Sequence, residues 1–438
     1  MTTKSTVRLV HVMTVPQSLN FLTGQVGYLK ARGFEISAIS SPEEFLMRFA
    51  ARENIHVHGV EMPRRITPFY DLVALARIWR ILRRLRPQIV HAHTPKGGVL
   101  GMVGAWFARV PVRIYHMRGL PFTTARGVRR WLLIWSERIS CRLAHRVLCV
   151  SSSLRQLAVE SHLCQSEKII VLARGSGNGV DAAHRFNEAT VSAVMRDETR
   201  RRYNIPTGAL VLGFIGRIVR SKGIVELADA WRELRGEFPD LHLLLVGPHE
   251  VQDPIPTEVE RTLRIDPRVH FLGHEWNTPP LYAVMDVLAL PTYREGFPNV
   301  LLEAAGMKVP VVATQVPGCI DAVQDGVTGT LIPPYDATRL AEAVRMYLYD
   351  GELRRRHGAA ARDWVLREFR PEGIWKAVYE EYRERLEEKE VAASDAGIAS
   401  ANIEEGLVNL CHDQSLPDQC SGQSSSQKDT AAVSRDAF

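Results

Sequence analysis

The sequence predicts an α/β fold: two doubly wound, parallel-sheet units facing across a cleft, followed by a C-terminal helical segment. Three observations carry this. The chain has 438 residues, nearly three times the roughly 150 of a typical domain. From residue 7, short β-branched runs alternate with longer helical patterns, as βαβ crossovers require. The alternation pauses over residues 173–206 and resumes at Leu210.

Strands are expected at 7–15, 34–40, 55–60, 88–93, 112–117, 146–151 and 168–172, with helical patterns such as Phe21–Arg32, Phe69–Arg86 and Lys96–Arg109 between them. The pause holds Gly175, Gly177, Gly179 and an Asn204-Ile205-Pro206 break, which reads as a linker. A second series follows at 209–215, 241–247, 268–272, 286–290, 309–313 and 327–332, with helices such as Lys222–Glu237 and Asn299–Gly306. This gives a first domain over 1–185, a linker over 186–207, a second domain over 208–370, a C-terminal helix over 371–390 and a disordered tail over 391–438. The tail is polar, SGQSSSQKDTAAVS being its clearest stretch. Open α/β sheets bind ligands beyond the carboxyl ends of their strands, so the cleft between the two units is the expected site.

Composition excludes several classes. Apolar content of 45% and charge of 24% are ordinary globular values. The six cysteines form no Cys-x-x-Cys pair, so neither a zinc knuckle nor a disulfide framework is expected, and a reducing cytoplasm fits. The N-terminal MTTKSTVRLVHVMTV has no signal-peptide pattern, and no apolar run is long enough to span a bilayer. Net charge is +6, but residues 1–190 hold 27 Lys+Arg against 11 Asp+Glu, and the remainder 28 against 38. The first half is thus +16 and the second −10.

The segment LALPTYREGFPNVLLE, 288–303, is the most informative. A buried strand gives way to a loop with Glu295 and Gly296, and Pro298 suits a helix start. Free N–H groups around Phe297, Asn299 and Leu301 then favour an anion. Glu295 suits polyol hydroxyls and Glu303 a ribose diol; the alternative is two solvated acids. In GRIVRSKG, 216–223, Gly216 allows close backbone approach, and Arg217 and Lys222 both reach a phosphate over the next helix.

GRIVRSKG together with EGFPNVLLE resembles the nucleotide-sugar lobe of retaining GT-B glycosyltransferases with a Glu–seven residues–Glu motif, the family 4 type, built of two Rossmann-like domains. FLTGQVGYLKARGFEISAISSP, VHAHTPKGGVLG, RGLPF and SGNGVD resemble the bacterial branch that builds capsule, exopolysaccharide and O-antigen. The resemblance covers about residues 7–385. It implies that Arg217 and Lys222 bind the donor diphosphate, Glu303 the ribose and Glu295 the transferred sugar. Gly24 and Gly27 would approach the donor phosphates or the acceptor. The implied donor is a UDP-sugar and the acceptor a polyprenyl-diphosphate-linked saccharide.

One departure stands out. Members of the family often carry a His immediately before the Gly of the fifth-strand loop, and here that position is Arg118, with His116 two residues earlier. Either is a candidate catalytic contact. His91 and His93 fall on one face of a strand end; a metal pair there lacks an evident third ligand, and His93 with Lys96 is expected to face the acceptor's phosphates. No Asp-x-Asp occurs, which fits a reaction without a metal or other cofactor, the cations and a helix terminus carrying the electrostatic load.

The basic half clusters its charge. Arg77, Arg80, Arg83, Arg84 and Arg86 lie among Leu, Ile and Trp, and Arg126, Arg129, Arg130, Arg138, Arg142 and Arg146 among Trp131 to Trp135. That is an interfacial-helix pattern, expected to dock on an anionic membrane at the cytoplasmic face; a core-packing helix with a solvated basic face is the alternative. No nucleic-acid motif is found, so nucleic acid is not an expected partner. A nucleotide-sugar epimerase and a non-catalytic binding subunit are the competing functions.

Overall fold

A computed structural model describes the backbone of residues 6–412 and the side chains of residues 6–391. The first lobe's sheet contains β1 (Val7–Val12), β2 (Phe34–Ser40), β3 (His56–Gly59), β4 (Ile89–His93), β5 (Val112–Met117), β6 (Arg146–Cys149) and β7 (Ile169–Val171), in the order β3-β2-β1-β4-β5-β6-β7. The second contains β8 (Leu210–Ile215), β9 (Leu241–Val246), β10 (Val269–Gly273), β11 (Val287–Leu290), β12 (Val311–Thr314) and β13 (Gly329–Ile332), in the order β10-β9-β8-β11-β12-β13. Neighbouring strands run parallel throughout. Every expected strand forms within its expected range, give or take a residue at the ends.

Helices α1 (Gln25–Lys30), α2 (Glu44–Glu53), α3 (Pro68–Leu85), α4 (Pro95–Phe107), α5 (Gly127–Leu143) and α6 (Ser152–Glu160) accompany the first sheet. The second has α7 (Ala193–Arg202), α8 (Ile224–Glu237), α9 (Thr257–Ile265), α10 (Pro279–Tyr282), α11 (Asn299–Gly306), α12 (Cys319–Ala322), α13 (Ala337–Tyr349) and α14 (Gly351–Glu368). The helix expected over Phe21–Arg32 is divided. A 3-10 turn covers Pro16–Leu22, and Gly24, at φ +78°, breaks the path before α1.

Parallel strands covered on both faces must be apolar on both, which explains their Val, Ile and Leu runs. One core fills the second lobe, and two cores flank the first sheet. Two segments lie differently from the sequence reading. Phe186, Val191 and Ile205, inside the expected linker, are buried in the second-lobe core. They are apolar at spacings that a single break residue does not reveal. α15 (Pro371–His412) begins where the C-terminal helix was expected. Its Ile374, Val378, Tyr382 and Leu386 complete a first-lobe core with Leu9, Leu29 and Ile114. Burial of each such side chain contributes roughly 1.5–3 kcal/mol, so residues 374–386 of this helix are part of the first lobe's fold. The tail expected from 391 overlaps α15 as far as His412, and residues 413–438 lie outside the described residues.

The strand order reverses between β1 and β4 and between β8 and β11. The carboxyl ends of those strands therefore border the crevices in which α/β sheets bind ligands.

Candidate functional site

β8 and β11 position the second lobe's candidate residues. Gly216 follows β8 directly and donates its N–H to the Val246 carbonyl at 2.9 Å. The loop it opens brings the Lys222 ammonium onto the Glu295 carboxylate, with the two side chains only 16% and 12% exposed. Arg217 donates to Glu250 at 2.6 Å, and Glu250 also accepts from Arg64 of the first lobe at 2.5 Å. Burial alone pushes the Glu250 carboxyl up, but Arg217 and Arg64 together hold it below the ordinary carboxylate value.

α11 starts at Asn299, with Pro298 as its cap. Glu303, on the same helix, accepts from the Tyr282 hydroxyl at 2.8 Å. Burial pushes the Glu303 carboxyl up, opposed by that hydrogen bond and by Arg185. Asn299 accepts from the Ser176 hydroxyl at 3.3 Å, and Phe297 packs against cores of both lobes.

The lobes meet at Gly296. A Cβ there would stand 2.0 Å from the Arg118 carbonyl, so only glycine lets the loop reach the end of β5. The Gly296 carbonyl accepts from Ser151 at 2.8 Å, and Asp321 accepts from the Ser153 hydroxyl and, at 3.1 Å, from its N–H. The Glu295 loop is thereby docked on the first-lobe strand ends that carry Arg118.

Those strand ends hold four histidines. Register places His11 of β1 beside His91 of β4, and His93 of β4 beside His116 of β5. The His91 and His93 rings stack at 4.1 Å and those of His91 and His116 at 5.3 Å. His91 Nδ1 meets the Tyr382 hydroxyl at 2.6 Å, whereas His91 Nε2 and His116 Nδ1 have no partner among the described residues. Burial pushes all four imidazoles down, His11 to about 3, and Arg118 adds to the effect. All four are neutral at pH 7.

Among the described residues, His11, His91 and His93 lie close enough to share a metal ion, so the third partner missing from the sequence is His11. The hydrogen bonding opposes it. Arginine has no acceptor, so Arg118 Nε must donate to His93 Nδ1, 3.3 Å away. His93 then carries its proton on Nε2 and donates it to His11 Nδ1 at 3.0 Å. A cation there would have to displace that proton beside a guanidinium, and the donor set does not fit one.

The remaining expected residues are dispersed. Gly24 lies beneath Trp375, where a Cβ would sit 2.4 Å from the ring, while Gly27 faces open space. Lys96 is not brought to His93. Its ammonium pairs with Asp71 of α3 at 2.7 Å and donates to the Arg65 carbonyl. Four participants escaped the sequence reading. Glu250 and His11 follow or end strands whose carboxyl ends line the crevice, a signal available in the sequence. Arg294, a half-buried cation whose buried Nε has no partner among the described residues, sits beside Glu295 in the motif already singled out. Tyr382 has no local signal, since it reaches His91 from α15, 291 residues away.

Comparison with known proteins identifies the family. Residues 20–175 match the family described as Glycosyl transferase 4-like domain, and residues 209–350 the one described as Glycosyl transferases group 1. The capsular polysaccharide biosynthesis glycosyltransferase CapM of Staphylococcus aureus is 30% identical over 383 residues, 87% of this chain and 98% of CapM. An Escherichia coli UDP-Gal:alpha-D-GlcNAc-diphosphoundecaprenol alpha-1,3-galactosyltransferase is 24% identical, over 64% of this chain and 71% of its own length. Among solved structures, Anabaena Alr3699/HepE in complex with UDP and glucose superposes with a TM-score of 0.71 at 19% identity, over 86% of this chain and all of that one. This last likeness concerns the fold, the two-lobed GT-B arrangement.

Proposed function

The chain belongs to the group 1, 4-like glycosyltransferases, and from that premise we propose that it moves a sugar, with retention of configuration, from a UDP-sugar to a polyprenyl-diphosphate-linked saccharide in surface-polysaccharide synthesis. The observation that carries this is the pairing of Lys222 with Glu295 between the loops that follow β8 and β11, with Arg217 on the first of these loops and Glu303 on the helix that follows the second. Two cations, each paired with a carboxylate, are available to a diphosphate, which replaces the acids as counter-ion. Glu303 then accepts from a ribose diol, and Glu295, released from Lys222, accepts from the sugar's hydroxyls.

In the reaction the bond from the anomeric carbon to the donor phosphate breaks, and the acceptor oxygen bonds to that carbon on the same face. The acceptor's proton passes to the departing phosphate oxygen, whose charge Arg217 and Lys222 stabilise. In this mechanism the cations carry the electrostatic load, with no metal or other cofactor. Closure of the lobes on the donor, through contacts such as Ser151 to Gly296, excludes water.

The acceptor's lipid places the enzyme on the cytoplasmic face of a membrane, and one observation favours this over a core-packing role for α5. Trp131, Leu132, Trp135 and Ile139 are exposed, whereas Glu137, Ser140 and Cys141 are its buried residues. Phe69, Tyr70 and Leu72 of α3 are exposed too, and so are Arg77, Arg80, Arg83, Arg84, Arg126, Arg129 and Arg130. Near an anionic surface each basic residue contributes about 1 kcal/mol. No helix among the described residues is long and apolar enough to cross a membrane.

The test is a panel of radiolabelled UDP-sugars, each incubated with and without extracted lipid-linked saccharides. Transfer places label in the organic phase only when lipid is present. Conversion of a UDP-sugar to its epimer without lipid supports an epimerase instead, and label recovered only as free sugar removes the acceptor assignment.

A further inference from the structure

Arg118 is a cation set into the first lobe without an acid. Its Nε donates to His93 Nδ1 at 3.3 Å, and its guanidinium lies over the Phe21 ring, 4.4 Å from the centroid. One terminal nitrogen packs on Gly177, where a Cβ would stand 2.2 Å from Nη1, so the absent side chain is what makes room for it. The ionisable groups around it are His11, His91, His93, His116 and Tyr382, all uncharged at neutral pH. Among the described residues no carboxylate pairs with Arg118, and burial pushes its own pKa down to about 9.

A half-buried, desolvated charge without a counter-ion is costly, and folds seldom keep one without a use. Neutral imidazoles and an aromatic face orient the guanidinium but cannot neutralise it. Of its five N–H donors, the Nε–H alone has a side-chain acceptor among the described residues. The residue keeps partial exposure, and its carbonyl abuts Gly296 beside Glu295. The fork is therefore reachable from the cleft, next to the loop assigned to the transferred sugar. His116 Nδ1 and His91 Nε2, also unpartnered, add two polar positions to the same cluster. A desolvated, preoriented guanidinium fork matches the geometry of a carboxylate or a phosphate.

We infer that Arg118 receives an oxyanion carried by one of the two substrates, distinct from the donor diphosphate. This rests on the proposed function, in which Arg217 and Lys222 take that diphosphate. The oxyanion has two possible sources: a carboxylate on the transferred sugar, or a phosphate of the lipid-linked acceptor.

The test uses the full chain as wild type, Arg118→Gln and Arg118→Lys. Calorimetry follows UDP, UDP-glucose, UDP-glucuronate and farnesyl diphosphate, the last with and without UDP. Charge-assisted hydrogen bonds predict that Arg118→Gln weakens one anionic probe by about ten-fold or more, and that Arg118→Lys restores part of the loss. Loss confined to UDP-glucuronate identifies the sugar carboxylate, and loss confined to farnesyl diphosphate the acceptor phosphate. UDP and UDP-glucose are expected to stay within about two-fold.

Arg118→Gln is also expected to melt at or above the wild-type temperature, because it removes an uncompensated charge; a clearly lower melting temperature makes Arg118 a structural residue and overturns the inference. Unchanged affinity for both anionic probes overturns it too, as does their failure to bind wild type. Equal weakening of UDP itself returns Arg118 to the diphosphate site. Wild type that binds no UDP defeats the proposed donor instead, while the farnesyl diphosphate arm and the melts still decide the role of Arg118.

Discussion

Arg64 and Glu250 meet across the cleft, the guanidinium of the first lobe donating to the carboxylate of the second at 2.5 Å. The same carboxylate holds Arg217 at 2.6 Å. Glu250 is thus a counter-ion to one of the two cations assigned to the donor and a tie between the lobes. Before a diphosphate engages Arg217, it must compete with Glu250.

Glu250→Gln relieves that competition. The Arg217 side chain is 42% exposed, so solvent screening limits the pair to about 1 kcal/mol or less. UDP affinity measured by calorimetry is expected to rise by up to about five-fold. Weaker UDP binding in this variant would mean that Glu250 positions Arg217 instead of competing for it.

Lys222→Ala removes the more enclosed cation and leaves Glu295 without its partner. Loss of one preorganised group facing a developing charge costs about 10²–10³-fold in turnover. Initial rates of UDP release with acceptor present check this. A change confined to KM, with turnover intact, would limit Lys222 to ground-state binding.

Two titrations are expected to act on stability in opposite directions over overlapping pH ranges. The imidazole of His11 is held neutral down to about 3, with His91, His93 and His116 also pushed down. Below pH 6.5 the unfolded chain binds protons that the folded state excludes, so stability falls as pH drops through that range and is fully present above it. Glu137 acts oppositely. Burial raises its carboxyl to about 7, offset in part by the Tyr115 hydroxyl at 2.7 Å. Between its ordinary value of 4.5 and about 7 the folded state keeps a proton that the unfolded chain has released, so stability declines as pH rises there. Glu137→Gln is expected to raise the midpoint of urea unfolding above pH 7 and to leave the acid limb in place. An unchanged midpoint above pH 7 would show that Glu137 ionises without cost.

Much of the fold was legible because parallel strands buried on both faces leave unbroken apolar runs, as in Leu210–Ile215 and Leu241–Val246. The placement of Arg217, Lys222, Glu295 and Glu303 was legible because they lie within two short segments that follow β8 and β11. What was not legible depends on distant partners. His91 shows nothing of Tyr382, and Lys96 shows nothing of Asp71, which draws its ammonium toward α3. The linker reading failed at Phe186 and Ile205 for the same reason, because their burial is decided by the second sheet. The histidine cluster was half legible: His91 and His93 share a face by alternation, whereas His11 joins them only through the β1–β4 register.

The stereochemistry of the transferred linkage tests the central claim most directly. Full-length enzyme is incubated with the UDP-sugar that labels the lipid phase, and the anomeric coupling constant of the new linkage is read by NMR. The account predicts a lipid-linked product whose new linkage keeps the configuration of the sugar in the donor. An inverted linkage, or a sugar that never leaves the aqueous phase, would contradict it.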